Sequence, residues 1–401
     1  MHIWAPKRPA ATRVRVLHVI PSLDPESGGP ARSVPAGCAA LARAGAETSL
    51  YAFVRTGAST TLDGRDWPFT TRLFRPLPFT NQVPTLDFIT EFRRAIHRAD
   101  LVHLYSVWNP LVSLCAFLCR QKKVPYVLSP RGMLQSGALA RRRLLKRVIF
   151  NAWDHRTIRG ASACHFLTEG EAADSRTLCS STPSIVVPSG VEEDEVARAD
   201  ANRFFDRHPD LRARPIMLFM GRLHEVKRLD LQLAALISLK DRFPDLAWVL
   251  AGNDDGAWDG ISRAAEAAGM AGRVKWIGFE GGPGRFDALA AARVFVLTSR
   301  HEAHSMAMNE ALACGVPVVL ADTVRFDALQ KHGAGLSVPA EPGAIATAIA
   351  GILSDARKAQ QMGDAGRALA SSELTWTRFA ERMMLAYQAV LTRKPLPTAG
   401  I

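Results

Sequence analysis

The chain is poor in the residues that build compact metal or redox sites. Its six cysteines, Cys38, Cys115, Cys119, Cys164, Cys179 and Cys314, include no C-x-x-C pair. That argues against a zinc ribbon or a dithiol motif and for reduced thiols in a reducing cytosol. No Asp-x-Asp pair is present to anchor a divalent ion beside a phosphate. No G-x-G-x-x-G follows the first apolar run, which sets aside a dinucleotide fingerprint. Long apolar runs are also missing. Leu101 to Cys119 comes nearest, but His103, Asn109 and Pro110 interrupt it well short of the ~20 residues of a membrane span. The first fifteen residues hold Lys7, Arg8, Arg13 and Arg15 with no apolar stretch behind them, so neither a signal peptide nor a transmembrane helix is expected.

What the chain does have is size, apolar content and a localised charge. At 401 residues, and with roughly 100–200 residues per domain, two or three domains are expected. Apolar residues make up 48% and charged residues 22%, enough to bury large cores and too apolar for a disordered scaffold. The net charge is +12, yet residues 120–160 alone hold eleven Lys/Arg against one acid, Asp154. That segment carries +10, which leaves only +2 for the rest of the chain. The question is therefore what one basic surface is for.

The order of elements reads as two similar halves. Val14 to Ile20 is a buried-strand pattern, followed by a loop through Gly28 and Gly29, a helix from about Pro30 to Arg43 and a strand from Thr48 to Val54. Strand, glycine loop, helix, strand is the grammar of a right-handed βαβ unit and a parallel sheet. Further strands are expected at Leu101–Leu104, Tyr126–Ser129 and Ala163–Leu167. A charged stretch from Glu192 to Arg214 reads as a linker. The same grammar restarts at Pro215 to Met220, with Gly221, a helix from about Leu229 to Phe243 and a strand from Ala247 to Ala251. The fold class is thus α/β, with two Rossmann-like doubly wound parallel-sheet domains facing a central cleft. Residues 1–195 are expected to form an N-terminal domain and 196–375 a C-terminal domain, and 376–401 a C-terminal helix that can cross back to the first domain, the sequence leaving open which domain it packs on.

Two regions carry chemistry. Glu302 and Glu310 are separated by seven residues in Ser299 to Pro317, the first in a loop after a strand and the second inside the helix that follows. At ~1.5 Å rise per residue the carboxylates stand up to ~12 Å apart, about a sugar plus part of a nucleotide. The helix N-terminus near His304 and Ser305 offers free N–H groups and a positive dipole end, which suits a diphosphate between the two acids. Upstream, Phe219 to Asp230 is a strand ending on Gly221 that presents Arg222 and Lys227 from one loop, cations suited to a pyrophosphate leaving group. Taken singly, the first motif reads as two solvated acids and the second as a solvated basic turn; together they read as a site. His301-Glu302-Ala303-His304 approaches H-E-x-x-H, but its histidines are three apart instead of four, so zinc hydrolysis is not expected. His103 and His165 fall at expected strand ends facing the cleft and read as structural.

These elements together resemble the retaining GT-B glycosyltransferases, in particular family 4, the glycosyl transferases group 1 with their E-x7-E block. The resemblance runs over nearly the whole chain: Gly28-Gly29 with Arg32-Ser33-Val34, Ser129 to Leu134, Pro188 to Val191, the Gly221-Arg222 to Lys227 loop, Ala251-Gly252, and the Glu302 to Glu310 block. It implies that residues 1–195 are the acceptor-binding domain and 196–375 the nucleotide-sugar-binding domain. It also implies that Arg222 and Lys227 bind the donor diphosphate, that Glu302 contacts the donor sugar hydroxyls and that Glu310 holds the ribose. Gly28 and Gly29 would let the loop approach the diphosphate without side-chain hindrance. Gly278-Phe279 looks like the edge of the base pocket, and Met306, Met308 and Asn309 like part of the sugar pocket. Arg131 stands where many relatives have His, as a fixed cation for charge on the sugar or phosphate. His304-Ser305 replaces the usual Phe-Gly, and Arg228 the usual Gly. With Glu302, Arg222, Lys227 and Arg131 as catalytic residues, the expected reaction is metal-free sugar transfer from a nucleoside-diphosphate sugar with retention, the leaving phosphate taking the acceptor proton. No cofactor is expected beyond the donor substrate. The remaining alternatives are a non-catalytic basic binding protein on this scaffold and an epimerase acting on the nucleotide sugar itself.

The basic segment fits that picture. Ala138 to Trp153 has a helical pattern, with Arg142/Lys146 and Arg143/Arg147 as i,i+4 neighbours and Leu144, Leu145, Val148 and Ile149 as an apolar stripe. A cation-rich amphipathic helix in the acceptor-side domain reads as interfacial, with each near-surface cation worth ~1 kcal/mol on anionic lipid; a helix docked on the core with a solvated basic face is the plainer alternative. The expected partners are a glycan or polyprenyl-diphosphate-linked acceptor and the cytoplasmic face of a membrane. Nucleic acid is not expected, since the segment lacks an aromatic platform.

Overall fold

The computed structural model describes residues 13–24, 28–55, 60, 62–64, 66–77, 83–135 and 153–397. In the first half the elements are β1 (Arg15–Ile20), α1 (Gly29–Arg43), β2 (Glu47–Phe53), β3 (Thr70–Phe74), α2 (Leu86–Ile96), β4 (Leu101–Tyr105), α3 (Pro110–Lys122), β5 (Tyr126–Ser129), β6 (Ala163–Phe166), α4 (Glu169–Cys179) and β7 (Ser184–Val186). In the second half they are β8 (Ile216–Met220), α5 (Leu229–Ser238), β9 (Ala247–Ala251), α6 (Trp258–Ala267), β10 (Val274–Trp276), α7 (Gly284–Ala291), β11 (Val294–Leu297), α8 (Met306–Ala313), β12 (Val318–Ala321), β13 (Gly335–Val338), α9 (Pro342–Ser354), α10 (Ala356–Glu373) and α11 (Trp376–Thr392). Shorter helical turns lie between several of these.

Each half builds one parallel sheet, in the orders β3-β2-β1-β4-β5-β6-β7 and β10-β9-β8-β11-β12-β13. The central strands are buried on both faces because helices cover them; all five residues of β4 and all five of β9 are buried, whereas the edge strand β3 exposes Thr70, Arg72 and Leu73. In both sheets the strand order reverses beside the first strand. The loops leaving β1 and β4, and those leaving β8 and β11, therefore turn to opposite faces and open a crevice at the carboxyl ends.

Local chemistry explains the boundaries. Asn109 caps α3 by accepting from the Leu111 N–H at 2.9 Å, with Pro110 in the first turn. Thr375 caps α11 through Arg378 N at 3.1 Å. α11 then places Trp376, Phe379, Met383 and Tyr387 on the first half, against Val16, Leu41, Leu101 and Val127. A Cβ on Gly37 of α1 would stand 3.0 Å from Phe379, so α1 and α11 approach closely only because Gly37 has no side chain. The chain crosses between halves twice at one place: a Cβ on Gly190 would lie 2.3 Å from Trp376 N, and Val191 N donates to Leu374 O at 2.8 Å.

Three expectations change. The stretch from Glu192 to Arg214 is folded onto the second half instead of linking freely, with helical turns at Glu193–Ala197 and Ala201–Arg207 and with Phe204 and Leu211 in the core. Its charges are used, since Arg203 pairs with buried Asp287 at 2.7 Å. The helix expected to reach Phe243 ends at Ser238. His103 and His165 lie within fully buried strands and not at strand ends. The basic residues Arg142, Arg143, Lys146 and Arg147, and the helix expected around them, lie outside the described residues.

Candidate active site

The loops after β8 and β11 meet at one ion pair. Lys227, from the turn after β8, bonds through Nζ to Glu302 Oε2, from the loop after β11. Ser299 Oγ donates to the same carboxylate oxygen at 3.1 Å. Both loops are anchored from below. Thr298 Oγ1 donates to the carbonyls of Lys227 and Arg228 at 2.9 and 3.0 Å, and Arg300 N donates to Val226 O at 2.8 Å. Buried Gln232 of α5 donates to Thr298 Oγ1 at 2.9 Å and accepts from Trp248 Nε1 at 3.1 Å. Arg228 takes the left-handed conformation (φ 51°) and turns its guanidinium onto Asp230.

Arg222 projects from the start of the same β8 loop and pairs with Asp255 at 2.7 Å, both half exposed. Across the crevice stands the glycine loop of α1. Gly28 has φ +84°, and a Cβ there would lie 3.8 Å from Arg222 Nε, whereas one on Gly29 would meet nothing within 4 Å. On the other side of Gly221, a Cβ on Gly252 would fall 1.9 Å from the Gly221 carbonyl oxygen, so the β8 and β9 ends pack backbone to backbone. Gly252 N donates to Gly278 O at 2.6 Å, which holds the Gly278 turn (φ +76°) beside them, with Phe279 exposed.

The first half presses on the Glu302 loop from above. A Cβ on Gly132 would stand 2.7 Å from Ala303 Cβ, and Thr168 Oγ1 donates to Ala303 O at 3.2 Å. The Gly132 N–H and the Leu167 N–H both donate to buried Glu171 of α4, at 2.5 and 2.8 Å. Arg131, at φ 55°, lies 5.1 Å over the Tyr105 ring, with Ser189 Oγ at 3.4 Å. A buried polar group surrounds it. His18 Nδ1 is 2.9 Å from Tyr105 Oη, His103 Nδ1 is 2.6 Å from Tyr387 Oη, and His165 Nε2 is 2.8 Å from Val187 O. Burial, reinforced by the Arg131 charge, pushes His18 and His165 down to about 3 and His304 to about 4, so all three are neutral. Burial likewise lowers the Arg131 pKa.

α8 begins where the second carboxylate is set. Ser305 caps it by accepting from Met308 N at 3.2 Å, and Met306 packs toward the α11 cluster of the first half. Asn309 Nδ2 donates to Ser189 O at 2.9 Å and lies 2.7 Å from His304 Nε2. Glu310 is buried, with Oε1 accepting from Arg285 Nε of α7 at 2.9 Å and from Arg32 Nη2 of α1 at 3.0 Å. The structure therefore brings Gly28, Gly221, Arg222, Lys227, Glu302, His304, Ser305 and Glu310 to the crevice between the sheets. Arg285 and the Arg32 contact were not legible from spacing, because the partners lie 25 and 278 residues from Glu310. Among the described residues no three His, Cys, Asp or Glu side chains converge as a metal site would.

Two family models match this chain: glycosyl transferases group 1 over residues 201–369 and glycosyl transferase 4-like domain over residues 28–190. A phosphatidyl-myo-inositol mannosyltransferase of Mycobacterium leprae is 24% identical over 79% of this chain and 82% of its own length. A GDP-mannose-dependent alpha-(1-6)-phosphatidylinositol monomannoside mannosyltransferase of Mycolicibacterium smegmatis is 30% identical over 49% of this chain and 54% of its own. In fold, the chain superposes on HepE of Anabaena, solved with UDP and glucose, at TM-score 0.76 with 18% identity, over 93% of this chain and 98% of that one.

Proposed function

The chain belongs to the glycosyl transferases group 1 family and is a GT-B glycosyltransferase; from that premise we propose that it moves a sugar, with retention and without a metal, from a nucleoside-diphosphate sugar to a glycan or lipid-linked saccharide in surface polysaccharide assembly. The observation that carries this reading is the Lys227–Glu302 pair at the carboxyl ends of β8 and β11, with Arg222, paired to Asp255, on the same β8 loop and facing Gly28. A departing diphosphate gathers negative charge as the bond between the anomeric carbon and the phosphate oxygen breaks. Two cations placed at the leaving oxygens offset that charge. Arg222 and Lys227 are held by Asp255 and Glu302, and the donor phosphates would draw them off those carboxylates.

With Lys227 on phosphate, Glu302 is released to accept from donor sugar hydroxyls. The acceptor oxygen then bonds to the anomeric carbon on the face the phosphate leaves, and its proton passes to the leaving phosphate oxygen. Arg131 closes the pocket from the first half as a fixed cation, with neutral His18, His103, His165 and His304 around it. Gly278 edges the base pocket, and Met306, with Ser305, lines the sugar side of α8. The donor reading draws support from the HepE complex with UDP-glucose, and the lipid acceptor from relatives named for phosphatidylinositol.

Among the described residues no helix is long and apolar enough to cross a membrane. Work at the cytoplasmic face of a membrane, through Arg142, Arg143, Lys146 and Arg147 on anionic lipid, is part of the same proposal. The test is transfer from a labelled nucleotide sugar to a polyprenyl-diphosphate-linked saccharide in EDTA, with the product anomer read by NMR. Retained configuration and undiminished rate are expected; inversion, or loss of turnover in EDTA, overturns the mechanism.

A further inference from the structure

Glu310 is held through one oxygen only. Oε1 takes hydrogen bonds from both Arg285 and Arg32, while Oε2 is shielded from solvent and has no hydrogen-bond partner. The two arginines differ in kind. Arg285 is buried and fixed three ways, to Glu310, to Gly282 O at 2.8 Å and to Glu195 at 2.8 Å, all within the second half. Arg32 belongs to the first half, is 37% exposed, and crosses the crevice to reach Glu310. It stands one helical turn into α1, whose start at Gly28 faces Arg222. One helix end therefore spans the ground between the cation assigned to the donor phosphates and the carboxylate assigned to the donor ribose.

Charge bookkeeping gives Arg32 its role. Arg285, Glu195 and Glu310 sum to −1 in a buried cluster, and a nucleoside diphosphate adds further negative charge beside it. Arg32 brings the cluster to zero without occupying Oε2, the oxygen that still has lone pairs to offer. We propose that Arg32 is a positioning residue of the first half that clamps Glu310 from across the crevice, so that closure of the two halves is coupled to recognition of a ribonucleoside through Glu310 Oε2. This rests on the reading of Glu310 as the ribose-holding residue. A hydroxyl of the ribose donates to Oε2 while Arg32 stays on Oε1; a nucleoside without 2′ and 3′ hydroxyls leaves Oε2 unpaired and gains nothing from the clamp.

The experiment is calorimetric titration of the full chain with UDP, GDP, ADP and CDP and with their 2′,3′-dideoxy analogues, for wild type, Arg32→Ala, Arg32→Lys and Glu310→Gln, each checked for an unchanged melting curve. The loss of one charge-assisted contact predicts that Arg32→Ala weakens the accepted ribonucleotide about tenfold. The dideoxy analogue should be unaffected, Arg32→Lys should recover part of the loss, and Arg32→Ala should add nothing on top of Glu310→Gln. In turnover the KM for the nucleotide sugar should rise with kcat nearly held. Equal weakening of ribo and dideoxy ligands, no weakening, or tighter binding in Arg32→Ala overturns the clamp. Wild type that binds none of UDP, GDP, ADP and CDP overturns the donor reading itself, and the clamp with it.

Discussion

Lys227 and Glu302 hold each other across the loops that leave β8 and β11, with Ser299 bonded to the same carboxylate. Both side chains are 17% exposed, so the pair sits at the mouth of the crevice and not in the core. Lys227→Ala and Glu302→Gln should each lower kcat/KM by about 10²–10³, the scale for removing a single preorganised charge contact from a transition state. Their melting temperatures should stay near wild type, because the pair lies outside the packed cores. Wild-type turnover in either variant would contradict the assignment.

Gly28 tests the close approach to Arg222. An alanine there meets a backbone at φ +84°, which costs roughly 1 kcal/mol, and puts a methyl 3.8 Å from Arg222 Nε where a phosphate is expected. Gly28→Ala should lose far more activity than stability in paired turnover and melting assays, whereas Gly29→Ala, with open space around it, should lose little of either.

The buried histidines make stability depend on pH. Their folded values of about 3 for His18 and His165 and about 4 for His304 lie below the unfolded value of 6.5. Between those limits the unfolded chain binds more protons, so stability is full above about 6.5 and falls as pH drops toward 4. The melting temperature should decline over that range. His165→Gln, which keeps an N–H for Val187 O, should flatten part of the slope; an identical slope would contradict the account.

Tyr387 ties α11 to the first half through His103, 2.6 Å away. Tyr387→Phe leaves that buried nitrogen only the longer contact to Tyr105 Oη at 3.4 Å and should cost about 1–3 kcal/mol in denaturant unfolding.

Much of this arrangement was legible in the sequence, for identifiable reasons. α11 runs from Trp376 to Thr392, inside the stretch expected to carry a C-terminal helix, because Thr375 caps it and Trp376, Phe379, Met383 and Tyr387 share one face. Glu302 and Glu310 lie near one another because loop and helix are adjacent in sequence, but their spacing alone reads as two solvated acids, and only the Arg222–Lys227 loop beside it turns the pair into a candidate site. Glu192 to Arg214 misled because its apolar content is sparse, yet Phe204 and Leu211 dock the segment in the core and Arg203 neutralises Asp287 beneath it. Strand alternation indicates burial but not which histidines meet, so the cluster of His18, His103 and His165 appeared only when β1, β4 and β6 were brought together. The partner of Arg32 was not legible for the same reason, since Glu310 lies across the crevice on the other half.

Reception of a nucleoside diphosphate by Arg222 and Lys227 without a metal can be read from titrations of nucleoside diphosphates into the full chain in EDTA, for wild type and for Arg222→Ala and Lys227→Ala. Wild type should bind one nucleoside diphosphate saturably, and each variant should bind it markedly more weakly. Binding that appears only when a divalent ion is restored, or equal affinity in all three proteins, would contradict this reading.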